Sequence, residues 1–264
     1  MDNYDILQAY YDLGKEDGRL SSKHGQIEFL TTMHYIKKYL SPDSKILEIG
    51  AGTGRYSHKL ALDGYDVTAV ELINSNIETF KTKIKGNETL RVIQGNALDL
   101  NFLENNIFDV TLLLGPMYHL YTLDDQLKAM SEALRVTKNN GIIIVAYCLM
   151  DATIMVFGFI KNNIKDVIEK KLLDTETFRT HSTPAEIFQL YRKEDIDNIK
   201  SNFNVDRLHY VATDLYSNYF PQLIDEMDEE TFSVYLKYHL HICERNDVIG
   251  ISHHSIDVLR KINK

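Results

Sequence analysis

Lys45-Ile-Leu-Glu-Ile-Gly-Ala-Gly-Thr-Gly54 is an apolar strand pattern that runs directly into three glycines at alternate positions. Glycine tolerates positive φ and lets the main chain approach a ligand closely, so such a turn suits a molecule lying across the end of a strand. Moving outward, a helical pattern follows to Gly64. The next strand pattern, Asp66 to Glu71, ends in a carboxylate at the interval of about 20 residues expected for a group that holds ribose hydroxyls.

The alternation continues on both sides. Upstream, Ile27, Leu30, Met33, Ile36 and Leu40 recur at helical spacing and stop at Ser41 and Pro42. Downstream, strand patterns cover Leu90 to Gln94, Phe108 to Leu114 and Gly141 to Tyr147, with helical patterns from Asn74 or Ser75 and from Asp124 to Thr137. Strands separated by helices of this length are βαβ units, whose right-handed crossovers give an α/β fold with a doubly wound, mostly parallel sheet. Two later patterns, Asn204 to Val211 and Ser255 to Ile262, bring the expected strands to seven, following strands one to five. The rhythm breaks after Met150, where residues 151–201 and 214–250 read as helical insertions after strands five and six. Their large side chains, Met155, Phe157 and Phe159 in the first and Tyr216, Tyr219, Phe220, Tyr235 and Tyr238 in the second, suit either plain core or a substrate cap at the carboxyl edge of the sheet. The chain is thus expected to be one domain, residues 1–264, with an N-terminal helical lid at 1–42 and a ligand-binding core at 43–150.

Composition narrows the partners. The 264 residues carry 29 Lys plus Arg against 38 Asp plus Glu, a formal net charge of -9 that repels a phosphate backbone, so no nucleic-acid partner is expected. Cys148 and Cys243 stand far apart without metal-ligand spacing and read as reduced structural thiols. Met1 to Leu20 lacks a basic region followed by an apolar core, so the expected location is cytoplasmic. The apolar stretch Ile142 to Ile160 is long enough for a membrane span, but Asp151 at its middle would cost on the order of 3 kcal/mol, and the pattern changes there from strand to helix.

The glycine spacing separates two ligand classes. A dinucleotide fingerprint needs a glycine at position 55 or 57, where Arg55 and Ser57 stand. The observed E-x-G-x-G-x-G resembles motif I of the class I S-adenosylmethionine-dependent methyltransferases. Asp109-Val-Thr-Leu-Leu-Leu-Gly-Pro-Met-Tyr-His-Leu120 is similar to the LLLGPLYHL fourth-strand motif of one bacterial branch, and Glu132-Ala-Leu-Arg-Val-Thr-Lys-Asn-Asn-Gly141 to the EALRVLKPGG segment before strand five. The resemblance covers residues 10–150 and implies a Rossmann-like fold with S-adenosyl-L-methionine as cofactor. It implies that the turn at Gly50, Ala51, Gly52 and Gly54 meets the methionine moiety, with Glu48 orienting the turn and the ammonium. Glu71, followed by Leu72, would hold the ribose, Asn96 and Ala97 the adenine, and Leu114 and Gly115 would lie along the cofactor. The segment Tyr10-Tyr-Asp-Leu-Gly-Lys-Glu-Asp-Gly-Arg-Leu20 resembles the family's N-terminal segment, which often folds over the cofactor, so that Tyr11 and Arg19 would reach its carboxylate. Glu71 and Asn96 also have a plainer reading as loop caps.

On the acceptor side, Tyr118 and His119 follow strand four and fall near the reactive methyl. His119 has the intrinsic pKa to remove a proton near neutrality, and both residues equally suit packing at the sheet edge. Gly115-Pro-Met-Tyr118 lacks the Asn or Asp of the N-P-P-Y segment that amino-methylating nucleic-acid enzymes carry. His239, His241, His253 and His254 raise a metal site, but no carboxylates have matching spacing and no metal is expected. The expected activity is methyl transfer to a small molecule. A nicotinamide-dependent oxidoreductase and a non-catalytic adenosine-ligand-binding regulator are the competing readings.

Overall fold

The computed structural model describes residues 3–14 and 18–263. In chain order the elements are α1 (Asn3–Tyr11), α2 (Lys23–Lys37), β1 (Lys45–Ile49), α3 (Arg55–Leu62), β2 (Asp66–Glu71), α4 (Asn74–Lys83), β3 (Leu90–Gln94) and β4 (Phe108–Leu113). Then come α5 (Leu123–Val136), β5 (Thr137–Cys148), α6 (Met150–Thr153), α7 (Ile164–Glu169), α8 (Lys193–Ser201), β6 (Val205–Ala212), α9 (Pro221–Asp225), α10 (Glu229–Ile242) and β7 (His254–Lys261).

The seven strands form one sheet in the order β3-β2-β1-β4-β5-β7-β6. β1 pairs in parallel with β2, Ile49 beside Val70, and with β4, Ile49 beside Leu113. β7 alone runs antiparallel, against both β5 and β6. The central strands are buried on both faces, which is why they read as continuous apolar runs rather than alternating ones. Ile46, Leu47, Val110, Leu112 and Leu113 are fully buried; cutting Leu47 to Ala would cost about 2 to 5 kcal/mol. α5 shows how a helix is fixed on this sheet. Thr122 caps its first turn by accepting from the Asp125 N–H, and Ala129, Met130, Ala133 and Val136 are fully buried on its inner face. Strand order reverses between β1 and β4, and in open α/β sheets the crevice outside the carboxyl ends at such a point binds ligands.

Two details depart from the sequence reading. β5 starts at Thr137 rather than Gly141, because the Asn139-Asn140-Gly141 signal makes an irregularity within the strand: Asn140 takes φ 61°, and the register against β4 shifts between Phe108 and Val110. The first insertion is helical only in part. After α6, a π-helical turn (Ile154–Ile160) and α7, residues 172–192 are largely irregular before α8. The apolar stretch Ile142 to Ile160 divides between β5, α6 and that turn, and among the described residues no helix is long and apolar enough to cross a membrane. Cys148 and Cys243 are free and buried.

Candidate functional site

A cavity of about 490 Å³ opens at the β1/β4 reversal. Its walls include every residue that the sequence placed against the cofactor except Gly54: Glu48, Gly50, Ala51, Gly52, Glu71, Leu72, Asn96, Ala97, Leu114, Gly115, Tyr11 and Arg19. Gly54 instead starts α3 behind the turn, where an added Cβ would lie 2.2 Å from the Phe80 ring. Gly50, at φ 74°, lets the turn pass Pro116, whose Cδ would be 2.6 Å from an added Cβ. Gly52, at φ 55°, is different, since a Cβ there would meet no protein atom within 4 Å. The backbone at Gly52 is bare toward the cavity, a cradle shaped for a ligand to lie against.

The two acidic groups of this cradle are buried and tied to its backbone. Glu71 accepts from the N–H of Gly52 at 2.7 Å through one oxygen, and from Ile73 N–H at 2.9 Å and the Asn76 amide at 3.3 Å through the other. Burial raises its pKa against these hydrogen bonds. Glu48 accepts from the Ser57 N–H at 2.9 Å and from the Ser57 hydroxyl, which ties β1 to α3. Burial, opposed by the Ser57 bonds and aided by the nearby Glu71 charge, pushes it up to about 8. Asn96 accepts from Leu98 N–H at 3.0 Å, so it caps its loop while lining the cavity.

The turn after β4, a 3-10 helix over Pro116–His119, carries Tyr118 and His119 to the cavity wall. The Tyr118 hydroxyl donates to the Leu114 carbonyl at 2.9 Å. His119 Nδ1 lies 2.9 Å from the Ile187 carbonyl, which can only accept, so the proton belongs on Nδ1 and Nε2 accepts from the Tyr11 hydroxyl at 2.8 Å. Ile187 holds φ 69°, strained for a β-branched residue, and its carbonyl accepts from both His119 and Tyr121. The expectation from intrinsic basicity is corrected here: burial lowers His119 to about 4 despite the Ile187 bond, so the ring is neutral at pH 7 and its one lone pair is taken. Residues 15–17 of the Tyr10 to Leu20 segment lie outside the described residues. Within it, Arg19 reaches the cavity but grips Glu28 through two bonds of 2.6 and 3.0 Å.

One cluster had no sequence signal. β6 and β7 pair antiparallel with Ala212 beside Ser255, so the residues just beyond β6 meet the start of β7. There Asp214 accepts from His254 Nδ1 at 2.6 Å, and Glu28 of α2 lies 3.4 Å from the same nitrogen. The donor atoms of Glu28, Asp214 and His254 fall within 4.8 Å of one another, as metal ligands would. Their lone pairs are spoken for, however. Asp214 also receives Ser252, Asn218 and the N–H groups of His253 and His254, while Glu28 is held by Arg19. The set therefore does not suit a cation. Of the other histidines considered for a metal, His239 and His241 sit on α10 and His253 beside β7, and none of them joins such a cluster among the described residues.

A second cavity of about 430 Å³ adjoins the first and shares Tyr11, Arg19, Tyr118 and His254 with it. Its remaining wall is mostly apolar and comes largely from the first insertion, including Ile154, Phe157, Ile164, Val167, Leu172 and Phe188.

Comparison with known proteins agrees with this geometry. Residues 47–145 match the family model of a methyltransferase domain. The chain is 26% identical over 220 residues to a ubiquinone biosynthesis O-methyltransferase of Rickettsia prowazekii, spanning 78% of this chain and 81% of that protein. It is 32% identical over 105 residues to a demethylmenaquinone methyltransferase of Renibacterium salmoninarum, over 40% and 41% of the two chains. A SAM-dependent methyltransferase from Thermotoga maritima shares the fold with a TM-score of 0.61 at 20% identity, over 98% of this chain and 99% of that one. With the glycine turn, the β2 carboxylate and the strand order all in agreement, residues 47–145 form a methyltransferase domain and the chain has the fold of S-adenosylmethionine-dependent methyltransferases.

Proposed function

We propose that this enzyme methylates a small molecule held in the apolar cavity, with the cofactor in the first cavity. The observation that carries the reading is the shared boundary: Tyr11, Arg19, Tyr118 and His254 line both spaces, so two occupants would meet there. The bound cofactor supplies an electrophilic methyl group on a sulfonium sulfur. The chain's own part is to bind, align and exclude water, which supplies about 7 to 11 kcal/mol in favourable cases. Glu71 would hold the ribose hydroxyls, Asn96 and Ala97 the adenine, and Leu72, Leu114 and Gly115 the flanks of the nucleoside. Gly50, Ala51, Gly52 and Glu48 would meet the methionine end, with Gly54 setting the turn that presents them.

Residues 1–42 act in this reading as a lid, supported by the residues of α1 on the cavity wall and by the bond from Tyr11 to His119. Residues 151–201 shape the acceptor pocket, and residues 214–250 brace it by supplying Asp214 to the cluster. His119 and Tyr118, the catalytic candidates, fit the role of latch and wall better than that of proton carrier, because their hydrogen-bonding atoms are engaged and His119 is a weak base. The net charge of -9 argues against nucleic acid as substrate, and two buried free thiols suit a cytoplasmic setting.

The test is a screen of phenols, carboxylates and amines with methyl-labelled S-adenosylmethionine. Labelled product from a small acceptor supports the reading. Tight cofactor binding without turnover on any of them would favour the non-catalytic regulator.

A further inference from the structure

Among the described residues, the boundary between the two cavities presents an imidazole nitrogen that no protein group bonds. Three of its four residues are engaged: Arg19 with Glu28, the Tyr11 hydroxyl with His119, and the Tyr118 hydroxyl with the Leu114 carbonyl. The fourth, His254, is fixed through Nδ1 by Asp214, while Nε2 has no hydrogen-bonding partner among the described residues. The residue lies deep in the fold, yet 27% of its side-chain surface is open, because it faces the cavities rather than the bulk.

The surroundings decide what that atom offers. Asp214 receives hydrogen bonds from Ser252, Asn218, His253 and His254; burial alone would raise it, but the charge and hydrogen bond of His254, with His253 and Ser252, hold it ionised at about 2. Burial by itself would lower His254; Glu28, Cys148 and Asp214 around it outweigh that and hold the ring well above the usual histidine value. Cys148 lies opposite His254 in the β5–β7 pairing, Glu28 comes from α2 with Arg19 bonded to it, and His253 adjoins in sequence. Arg19 with Glu28 is a neutral pair, and so is protonated His254 with Asp214. The resting boundary thus presents a fixed N–H of an imidazolium toward a pocket whose wall is mostly apolar, with His181, Glu186 and His253 among its other titratable side chains.

We propose that His254 Nε2–H binds the oxygen of the acceptor as an oxyanion, and that the acceptor is a phenol with an apolar body that fills the pocket behind it. This rests on the methyltransferase reading of the first cavity. An ammonium would be repelled at this point, and a neutral amine gains nothing from a cation there. A phenol gains twice: its apolar part leaves water, and its ionised oxygen receives a charge-assisted hydrogen bond in a site of low dielectric. The phenol's proton goes to solvent, the imidazolium keeps its own, and the oxygen lone pair is left ready for transfer.

The experiment uses 4-nitrophenol and an alkyl-chain 4-nitrophenol as probes, because the phenolate absorbs where the phenol does not. Each is titrated with pH in the presence of the enzyme and saturating S-adenosylhomocysteine. The expected result is that the bound phenol ionises about one pH unit lower than the free one, with the alkyl probe binding more tightly. His254→Gln should abolish that shift and weaken phenolate binding by about tenfold or more, with affinity for S-adenosylhomocysteine unchanged. An unshifted bound phenol, or a shift that survives His254→Gln, overturns the proposal, as does dodecanoate or an alkylamine binding better than the alkyl phenol. Phe157→Ser gives an independent check: it should weaken the alkyl probe and spare 4-nitrophenol, and equal loss of both refutes the assignment of the apolar pocket. If the wild type fails to bind S-adenosylhomocysteine, the underlying cofactor reading falls instead.

Discussion

Replacing Glu71 with Gln removes a charge while keeping the shape, and the structure shows why the change is not mild. Both carboxylate oxygens already accept from backbone N–H groups, one from Gly52 and the other from Ile73. A glutamine must therefore turn its NH₂ toward one of these donors, losing a hydrogen bond and leaving a buried N–H unpaired, at a cost of about 1 to 3 kcal/mol of stability. In the proposed site the ribose hydroxyls would lose a charged acceptor as well. At about 1.5 to 3 kcal/mol for such a bond, affinity for S-adenosylhomocysteine should fall roughly 10- to 150-fold. Calorimetric titration of the variant, with a melting curve to confirm folding, measures both effects. A folded variant whose dissociation constant stays within about threefold of wild type would remove Glu71 from the ribose site, since that change is worth under 0.7 kcal/mol.

Four further outcomes are expected. Gly52→Val should abolish cofactor binding while lowering stability by only about 1 to 2 kcal/mol, the cost of positive φ, because its side chain would point into open space; retained affinity would mean the turn serves another ligand. With Glu48 raised to about 8, it is largely protonated at pH 7, and the cofactor ammonium should pull its pKa down, so binding there should release a proton that disappears in Glu48→Gln; binding enthalpies independent of buffer ionisation would contradict this. Asp214→Ala strands the donors around it and should cost about 3 to 5 kcal/mol. Because Asp214 sits at about 2, below its unfolded value, its contribution is present above pH 4 and is lost as pH falls toward 2, which melting curves across that range would show. His119→Asn should lower turnover less than about tenfold, since the ring is neutral and engaged; a fall of 10² to 10⁴ would restore it as a general base.

The cofactor half of the molecule was legible in the sequence because its signals are local. A parallel strand buried on both faces is a continuous apolar run, the glycine turn follows it directly, and Glu71 ends the next strand, so spacing along the chain equals position in the site. β2 and β3 match their expected limits for the same reason. The proposed acceptor half assembles from distant pieces. Glu28, Asp214 and His254 meet only because β7 inserts antiparallel between β5 and β6, and no interval in the sequence records that pairing. His119 lines the cavity, but its basicity depends on burial and on Ile187 of the first insertion, and its other nitrogen is bonded by Tyr11 of α1. The irregular stretch 172–192 escaped because tertiary bonds such as Gln189 N–H to the Tyr118 carbonyl and the Tyr191 hydroxyl to the Met117 carbonyl hold it where local pattern does not.

The most direct test of the cofactor site is a crystal structure of the chain with S-adenosylhomocysteine. The ribose hydroxyls should lie on the Glu71 carboxylate, the homocysteine end along Gly50 to Gly52 beside Glu48, and the adenine against Asn96 and Ala97. The sulfur should face the boundary formed by Tyr11, Arg19, Tyr118 and His254. Density for the nucleoside anywhere else, or a sulfur turned away from that boundary, would contradict the assignment of both cavities.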